Sequence, residues 1–182
     1  VLSSLFDNKV LDYFENLEEK EKDDIWLIQD SPSWIKGTSD AIEYAEKNNV
    51  LIEFRKINVT SDIELGQLTE SLINEGVKVT AGIHSAYPRL KSWGTLFEEL
   101  KEEDICQHLG MQLGSAILFS KYIISLLKKT NCGGSLIHLS SIYGVKAPNF
   151  SLYENTNMYS PLEYSVIKAG IINLVKWLAK YN

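Results

Sequence analysis

The chain is 182 residues long, which is enough for one domain with a substantial core and short for two. Apolar residues make up 45% and charged residues 23%, ordinary values for a water-soluble globular protein. A net charge of −6 without any basic cluster argues against a nucleic-acid partner. There is no run of about 18 apolar residues and no signal-peptide pattern, so we expect a cytoplasmic protein without membrane contact.

The cysteines and histidines do not form a metal-binding pattern. Cys106 and Cys132 are isolated and lack CxxC spacing, which indicates buried or incidental thiols. His84, His108 and His138 form neither HxxxH nor HxH. We therefore expect no metal site.

Apolar spacing and capping residues predict helices and strands in strict alternation. The connectors are long enough for crossovers, which parallel neighbouring strands require. The sequence therefore predicts a single α/β domain over residues 1–182, with a parallel sheet flanked by helices. The predicted strands cover residues 25–30, 50–60, 77–83 and 135–139, and the predicted helices cover 9–22, 38–48, 61–75, a short segment from 96, 103–129 and 161–181.

Polar residues follow each predicted strand. Ligands of parallel α/β folds bind at the carboxyl ends of the strands, so these residues are candidates for a site. They are Asp30, Asn58 to Thr60, His84 to Tyr87, and Ser140 with Ser141.

The most suggestive chemistry lies between Gly133 and Lys168. Ser140 and Ser141 follow the last strand, and Tyr164 and Lys168 stand four residues apart on one face of the next helix. A positive charge on Lys168 would favour the phenolate form of a nearby Tyr164. Ser141 could hold a carbonyl or alcohol oxygen. A core tyrosine beside a solvated lysine is the alternative interpretation.

A YxxxK spacing is weak evidence alone, because chance supplies such a pair in a chain with nine tyrosines. A second match, Tyr87 with Lys91, contains Pro88 and follows a strand into a loop. We interpret that match as a decoy. The position of Tyr164 after a strand that ends in two serines is what distinguishes the first match.

These segments resemble the short-chain dehydrogenase/reductase family. GSLIHLSSIYG and YSVIKAGIINLVKWLA are similar to its catalytic half, and INVTSDIELGQL with VTAGIHSAYPR to its middle section. The resemblance covers roughly residues 25–182. It implies a Rossmann-type fold and hydride transfer between NAD(P) and a carbonyl or alcohol.

The resemblance implies a role for each matching residue in catalysis. Tyr164 would be the general acid/base, Lys168 would hold the nicotinamide ribose and tune Tyr164, and Ser141 would position the substrate. Gln112 matches the family's catalytic asparagine, with an amide one methylene longer.

Cofactor contacts follow from the same match. Asp30 stands where the family often binds the adenine ribose hydroxyls, which favours NAD slightly over NADP. Asn58 and Val59 stand where many members have Asp-Val beside the adenine. Ser85 and Ala86 occupy the family's NNAG-like stretch, which has lost both asparagines here.

Substrate contacts are suggested by the spacer between Ser141 and Tyr164. Residues 146–163 make it longer than is usual for the family, and together with AYPR it resembles a subgroup of bacterial surface-sugar and flagellin-glycan (nonulosonate) pathways. A sugar derivative is therefore the expected substrate. Tyr143 could line its pocket and Arg89 could clamp a phosphate or carboxylate, although a loop cover and a surface role are the alternatives.

The departures from the family are also informative. No TGxxxGxG pattern occurs in the 182 residues, the chain begins with Val, and its last helix is still running at residue 182. We therefore expect truncation at both ends, with the first strand, the glycine-rich turn and the C-terminal strands missing. True loss of the turn is the other explanation.

Three functions remain open from the sequence. The first is a short-chain oxidoreductase, working as a homodimer through the helices that end near Lys129 and Tyr181. The second is a degenerate, non-catalytic member kept for binding or oligomerisation. The third is an extended-type sugar-nucleotide epimerase or dehydratase, which would need a larger substrate domain.

Overall fold

The computed structural model describes residues 25–29, 43, 47, 51–131, 133–156 and 158–181. These residues fall into two compact units that divide between Ile57 and Asn58, and each is described separately. The predicted helix 9–22 lies outside the described residues. Of the predicted helix 38–48, only Glu43 and Lys47 are described, and both are helical. The single-domain assignment stays a prediction.

The first unit contains two parallel strands, β1 (Ile25–Gln29) and β2 (Leu51–Arg55). Their register places Ile25 opposite Leu51. Both strands were predicted, but β2 is shorter than the predicted 50–60. Beyond β2, Asn58 accepts hydrogen bonds from the Thr60 backbone and hydroxyl, which form a turn.

The second unit begins with helix α1 (Asp62–Asn74). Ser61 caps it, since its hydroxyl accepts a hydrogen bond from the Glu64 N–H at 3.2 Å. Gly76 follows the helix with a φ of +71°, a conformation that costs glycine little. The predicted helix 61–75 is therefore present, with a capping serine before it and a glycine after it.

Strands β3 (Ala81–His84) and β4 (Ser135–His138) pair in parallel, with Ala81 opposite Ser135 and His84 opposite His138. The prediction that β3 begins at residue 77 was wrong. β4 is its partner among the described residues, and the pairing between them starts only at Ala81. The described strands thus form two two-stranded sheets, each parallel as predicted.

A helical run of three parts links β3 to β4. It consists of α2 (Glu102–Leu109), a π-helix (Gly110–Gly114) and α3 (Ser115–Thr130), and a short 3₁₀ helix (Phe97–Glu99) precedes it. The sequence analysis predicted one continuous helix here. Two glycines at the ends of the insertion weaken the α-helix locally, and π turns are frequent at functional sites.

The run from Glu102 to Thr130 is also long and apolar enough, by length and composition, to cross a membrane. Core helices of water-soluble proteins share that property. In this fold the α3 part packs on α1, β3 and β4, and Ala116 and Leu126 are fully buried.

The last helix, α4 (Leu162–Tyr181), completes the second unit. Its Ile167 and Ile171 form a buried cluster with Ala116 of α3. Two 3₁₀ helices, Ile142–Gly144 and Phe150–Tyr153, lie in the connection from β4. Trp93, Leu109, Leu113 and Leu174 are half-buried side chains packed against the cluster.

Candidate active site

The candidate site lies where β4 ends and α4 begins. Ser140 donates a hydrogen bond from its hydroxyl to the Lys168 carbonyl at 2.8 Å, and Ser141 accepts one from the Tyr143 N–H at 3.2 Å. A Cβ on Gly144 would lie 2.7 Å from the Lys168 carbonyl carbon. Only glycine therefore lets this turn approach α4 so closely, and that approach keeps Ser141 beside the helix.

The Lys168 side chain crosses from α4 to the end of β4. Its ammonium donates a hydrogen bond to the Leu139 carbonyl at 2.8 Å. The same nitrogen lies 5.6 Å from the ring centroids of both Tyr87 and Tyr164. Burial lowers the pKa of Lys168 from its ordinary value. The strand end and two aromatic rings thus hold the cation in place.

Aromatic rings surround Tyr164. The ring centroids of Tyr87, Trp93 and Tyr143 lie 5.8, 6.5 and 6.5 Å from its own, all in edge-to-face geometry. Such arrangements are favourable for aromatic pairs and restrict the ring plane. Burial and the neighbouring Tyr164 raise the pKa of Tyr87 to about 12, so Tyr87 keeps its proton at ordinary pH.

The structure therefore brings the Lys168 ammonium close to the Tyr164 ring, and it holds the turn that carries Ser141 against α4 through Ser140 and Gly144. A phenol, an ammonium group and a serine hydroxyl around one strand end can hold an oxygen atom and move a proton to or from it. This location also follows the general rule for parallel α/β folds.

Gln112 lies in the π-helix, buried, and its side-chain amide donates a hydrogen bond to the Pro88 carbonyl at 3.0 Å. The bond ties the segment after β3 to the helical run. The NH₂ end of this side chain thus has a structural partner. Its role in a water relay stays a prediction.

The residues predicted to contact a cofactor have different surroundings. Ser85 is exposed and Ala86 half-buried, directly after β3. The Val59 side chain is buried, which makes it a packing residue, whereas Asn58 is exposed and bonded to Thr60. Asp30 lies outside the described residues.

The two predicted substrate residues, Arg89 and Tyr143, lie close to the rings of Tyr87 and Tyr164. The exposed Arg89 guanidinium is 5.3 Å from the Tyr87 ring centroid. The Tyr143 and Tyr153 hydroxyls are 3.0 Å apart, which joins the turn after β4 to the long spacer.

Sequence reasoning placed Tyr87 at a strand end but missed its contact with Tyr164, and it missed Trp93. Tyr87 was set aside as part of a decoy pair with Lys91, but its ring contacts Tyr164 while Lys91 is exposed. The available signal was its position just beyond the β3 carboxyl end. For Trp93, 5.4 Å from the Tyr87 ring, the sequence contains no comparable signal.

A pair of histidines lies on the strands that lead to the site. The His84 and His138 rings are 5.4 Å apart, and Ser120 of α3 lies 2.8 Å from the His138 Nε2. Burial, with a smaller effect of His138 and Lys168, lowers the pKa of His84 to about 4. Burial also lowers the pKa of His138. His84 is therefore neutral at ordinary pH.

Comparison with known proteins finds one curated relative of clear similarity. No protein-family model matches the chain. The post-translational flagellin modification protein A of Campylobacter coli is 43% identical over 126 residues, which are 69% of this chain and 49% of that protein. The chain thus spans about half the length of this relative.

Solved structures are similar over most of the chain. A short-chain dehydrogenase from Leptospira borgpetersenii with bound NAD+ has a TM-score of 0.69 at 24% identity, over 91% of this chain and 70% of that one. The NADPH-dependent 3-quinuclidinone reductase from Rhodotorula rubra has a TM-score of 0.64 at 17% identity, over 86% and 53%. The chain therefore has the fold of the short-chain dehydrogenase/reductase family, which confirms the resemblance and the α/β fold class predicted from its sequence.

Proposed function

We propose that the protein containing this chain is an NAD(P)-dependent oxidoreductase of the short-chain type. It transfers a hydride between a nicotinamide cofactor and a carbonyl or alcohol. The observation that carries this proposal is the Lys168 ammonium, which lies 5.6 Å from the Tyr164 ring and bonds to the Leu139 carbonyl at the end of β4, just before Ser141. The dehydrogenase fold of the similar structures supports it.

The residues present suit the nicotinamide end of the cofactor. The Lys168 ammonium has three N–H donors, and within the described part of the chain its acceptor is the Leu139 carbonyl. Two donors remain for ribose hydroxyls. Ser85 and Ala86 lie at the neighbouring strand end, where the nicotinamide would pass.

The predicted set of contacts for the adenine end of the cofactor is less complete. Asp30 supports NAD over NADP, because a carboxylate accepts hydrogen bonds from the ribose hydroxyls and repels a 2′-phosphate. Asn58 stays a candidate for a contact with the adenine, whereas the buried Val59 side chain leaves only its backbone for that role. No glycine-rich pyrophosphate turn occurs within the 182 residues, so pyrophosphate contacts are not assigned to them.

The proposed proton transfer uses the Tyr164 hydroxyl. In reduction it gives its proton to the substrate oxygen, and in oxidation the phenolate takes the proton back. Ser141 donates a hydrogen bond to the same oxygen, and the Lys168 ammonium lies 5.6 Å from the Tyr164 ring. Gln112 supports the relay through its amide oxygen. The bound nicotinamide supplies or accepts the hydride.

The proposed substrate is a sugar derivative. The name of the Campylobacter coli relative concerns flagellin modification, and the long spacer with the Tyr143–Tyr153 contact offers ring faces and hydroxyls to a sugar. We propose that Arg89 binds a negatively charged group of this substrate.

We further propose a cytoplasmic homo-oligomer that associates through α3 and α4, because Ile117, Val166 and Trp177 expose apolar surface there.

Replacement of Tyr164 tests the proposal in the protein that contains this chain. Tyr164→Phe removes one hydroxyl from a ring that three neighbouring rings hold in place. We expect turnover of NAD(P) with sugar substrates to fall by about 100-fold or more, the usual contribution of a general acid/base. Absorbance at the reduced-nicotinamide band measures the rate.

Tyr122→Phe is the matched control, because the Tyr122 hydroxyl bonds to Asp62 on α1, outside the candidate site. Its turnover should equal that of the wild type. Turnover by Tyr164→Phe at the wild-type rate would contradict the assignment of the acid/base. Absence of NAD(P)-linked turnover in the wild type would favour the non-catalytic alternative, which the bond from Gln112 to Pro88 also suits.

A further inference from the structure

A buried histidine and a buried glutamate join α2 to the helix that carries Tyr164. His108 lies in the last turn of α2 and Glu163 in the first turn of α4. The His108 Nδ1 and the Glu163 Oε1 are 3.2 Å apart, and the two side chains are 0% and 2% exposed. A carboxyl group so fully removed from water requires a polar partner, and His108 provides it.

The hydrogen bonding of this pair is incomplete. The His108 Nε2 and the Glu163 Oε2 are both buried and have no hydrogen-bond partner in the described part of the chain. A buried polar pair stabilises a fold well only when its remaining polar atoms are also satisfied, and apolar side chains of similar volume are often equally good or better. Stability is therefore a weak explanation for the pair.

The location of the pair suggests what it does. Glu163 directly precedes Tyr164, in a helical turn whose backbone N–H groups lack intrahelical partners. The His108 ring packs edge-on against Trp93, with 4.9 Å between centroids. Trp93 in turn contacts Tyr87 and Tyr164 at 5.4 and 6.5 Å. The pair thus reaches the Tyr164 ring through the backbone and through its aromatic neighbours.

We propose that His108 and Glu163 are positioning residues for Tyr164. Their hydrogen bond holds the first turn of α4 against α2, and the His108 ring packs edge-on against the Trp93 ring. Together these contacts set the orientation of the Tyr164 phenol. Because both side chains are buried, we assign neither of them a contact with substrate or cofactor. The effect of this orientation on catalysis rests on the proposed function. The orientation of the ring by the pair does not depend on that function.

The first test observes the Tyr164 ring directly. 3-Fluorotyrosine is incorporated at position 164 and its ¹⁹F NMR signal recorded in the full chain, without cofactor. We expect one narrow signal in the otherwise unchanged protein. In the double variant His108→Leu/Glu163→Leu we expect a shifted or divided signal, while the urea midpoint stays equal or rises. A signal identical to that of the unchanged protein would overturn the proposal.

An exposed pair on α2 provides the matched control. The Gln107 amide donates a hydrogen bond to the Glu103 carboxylate at 3.1 Å, and both residues are exposed to solvent. The double variant Glu103→Leu/Gln107→Leu should leave the ¹⁹F signal at position 164 unchanged. If this control moves the signal as far as the buried double variant does, the effect is not specific and the proposal is wrong.

A second variant pair covers the case in which the double variant does not fold. Glu163→Gln keeps an oxygen that accepts a hydrogen bond from His108, whereas Glu163→Met has similar length and no such acceptor. The proposal requires the wild-type ¹⁹F signal in Glu163→Gln and a changed signal in Glu163→Met. Equal signals in the two variants would overturn it.

The catalytic consequence is measured separately. In the protein that contains this chain, His108→Leu/Glu163→Leu should lower kcat about 10- to 100-fold, as misplaced catalytic groups do, with KM nearly unchanged. An unchanged kcat would show that positioning by the pair is not needed. If the unchanged enzyme shows no NAD(P)-linked turnover, the proposed function fails, whereas the ¹⁹F measurement still decides the positioning.

Discussion

Single hydrogen bonds decide which residues of the candidate site are free for chemistry. Within the described part of the chain, Lys168 uses one of its three N–H donors, on the Leu139 carbonyl. Gln112 instead uses its amide on the Pro88 carbonyl, from a position that is 2% exposed. The family resemblance made both catalytic candidates. Each donates one hydrogen bond to a backbone carbonyl, and the proposed roles use the other Lys168 donors and the Gln112 amide oxygen.

At the residue scale, we predict that Gln112→Leu destabilises the fold. The apolar side chain fills similar space but leaves the Pro88 carbonyl without its donor. The free energy of unfolding should fall by about 1–2 kcal/mol, the usual cost of an unsatisfied buried group. Urea unfolding followed by circular dichroism measures it. Gln107→Leu, on the exposed face of α2, is the control. It should change the free energy of unfolding by less than about 0.5 kcal/mol. Equal effects would show that the Gln112 bond is unimportant.

At the scale of elements, the turn after β4 is positioned by its contact with α4. Ser140 bonds to the Lys168 carbonyl, and Gly144 packs against the same peptide unit. The turn carries Ser141, whose hydroxyl in addition accepts from the Tyr143 N–H. Backbone contact between two elements, rather than any single side chain, thus brings Ser141 to the helix that bears Tyr164.

We therefore predict that Gly144→Ala disturbs the site. Its Cβ would lie 2.7–2.9 Å from Lys168 and Ala169 backbone atoms, which cannot move independently of α4. The turn must shift away, and the free energy of unfolding should fall by about 1–3 kcal/mol. Thermal unfolding provides the measurement.

Gly110→Ala is the control for this substitution. Gly110 has a helical φ of −61°, and no described atom lies within 4 Å of the position that an alanine Cβ would take there. That variant should be neutral or more stable by about 0.5–1 kcal/mol, because alanine favours a helix over glycine. Equal loss of stability in both variants would refute the close-approach argument.

At the scale of the whole molecule, the stability of the fold depends on pH because histidine side chains are buried in their neutral form. His84 is 4% exposed, and its neighbours are Ser115 and His138 rather than a carboxylate. Burial, with smaller effects of His138 and Lys168, lowers its pKa from 6.5 to about 4. Below pH 6.5 the unfolded chain binds a proton that the native chain does not, so stability decreases as the pH falls.

We predict that this loss appears between about pH 6.5 and pH 4 and is absent above that range. Its slope from His84 alone is at most about 1.4 kcal/mol per pH unit. Urea unfolding at a series of pH values measures the slope. His84→Gln should reduce the slope without abolishing it, because burial also lowers the pKa of His138. An equally steep slope in that variant would show that another group is responsible.

Much of the fold was predictable because it depends on local patterns. The Ser61 cap, the glycine after α1 and the apolar run before Ser140 mark element boundaries that the structure contains. Boundaries that depend on a partner were predicted less well. β3 begins at Ala81 rather than residue 77 because its pairing with β4 starts there. The π-helix at Gly110–Gly114 was likewise not evident from the sequence.

The sequence by itself determined the α/β class, which follows from hydrophobic periodicity. Its resemblance to a known family, more than the spacing alone, singled out Ser141 and the helix that carries Tyr164 and Lys168. The tertiary structure alone decided what surrounds that helix. Tyr87, Trp93 and the buried His108–Glu163 pair come from elements distant in the chain. Which distant side chains meet is a consequence of helix packing and strand register, which no local pattern encodes.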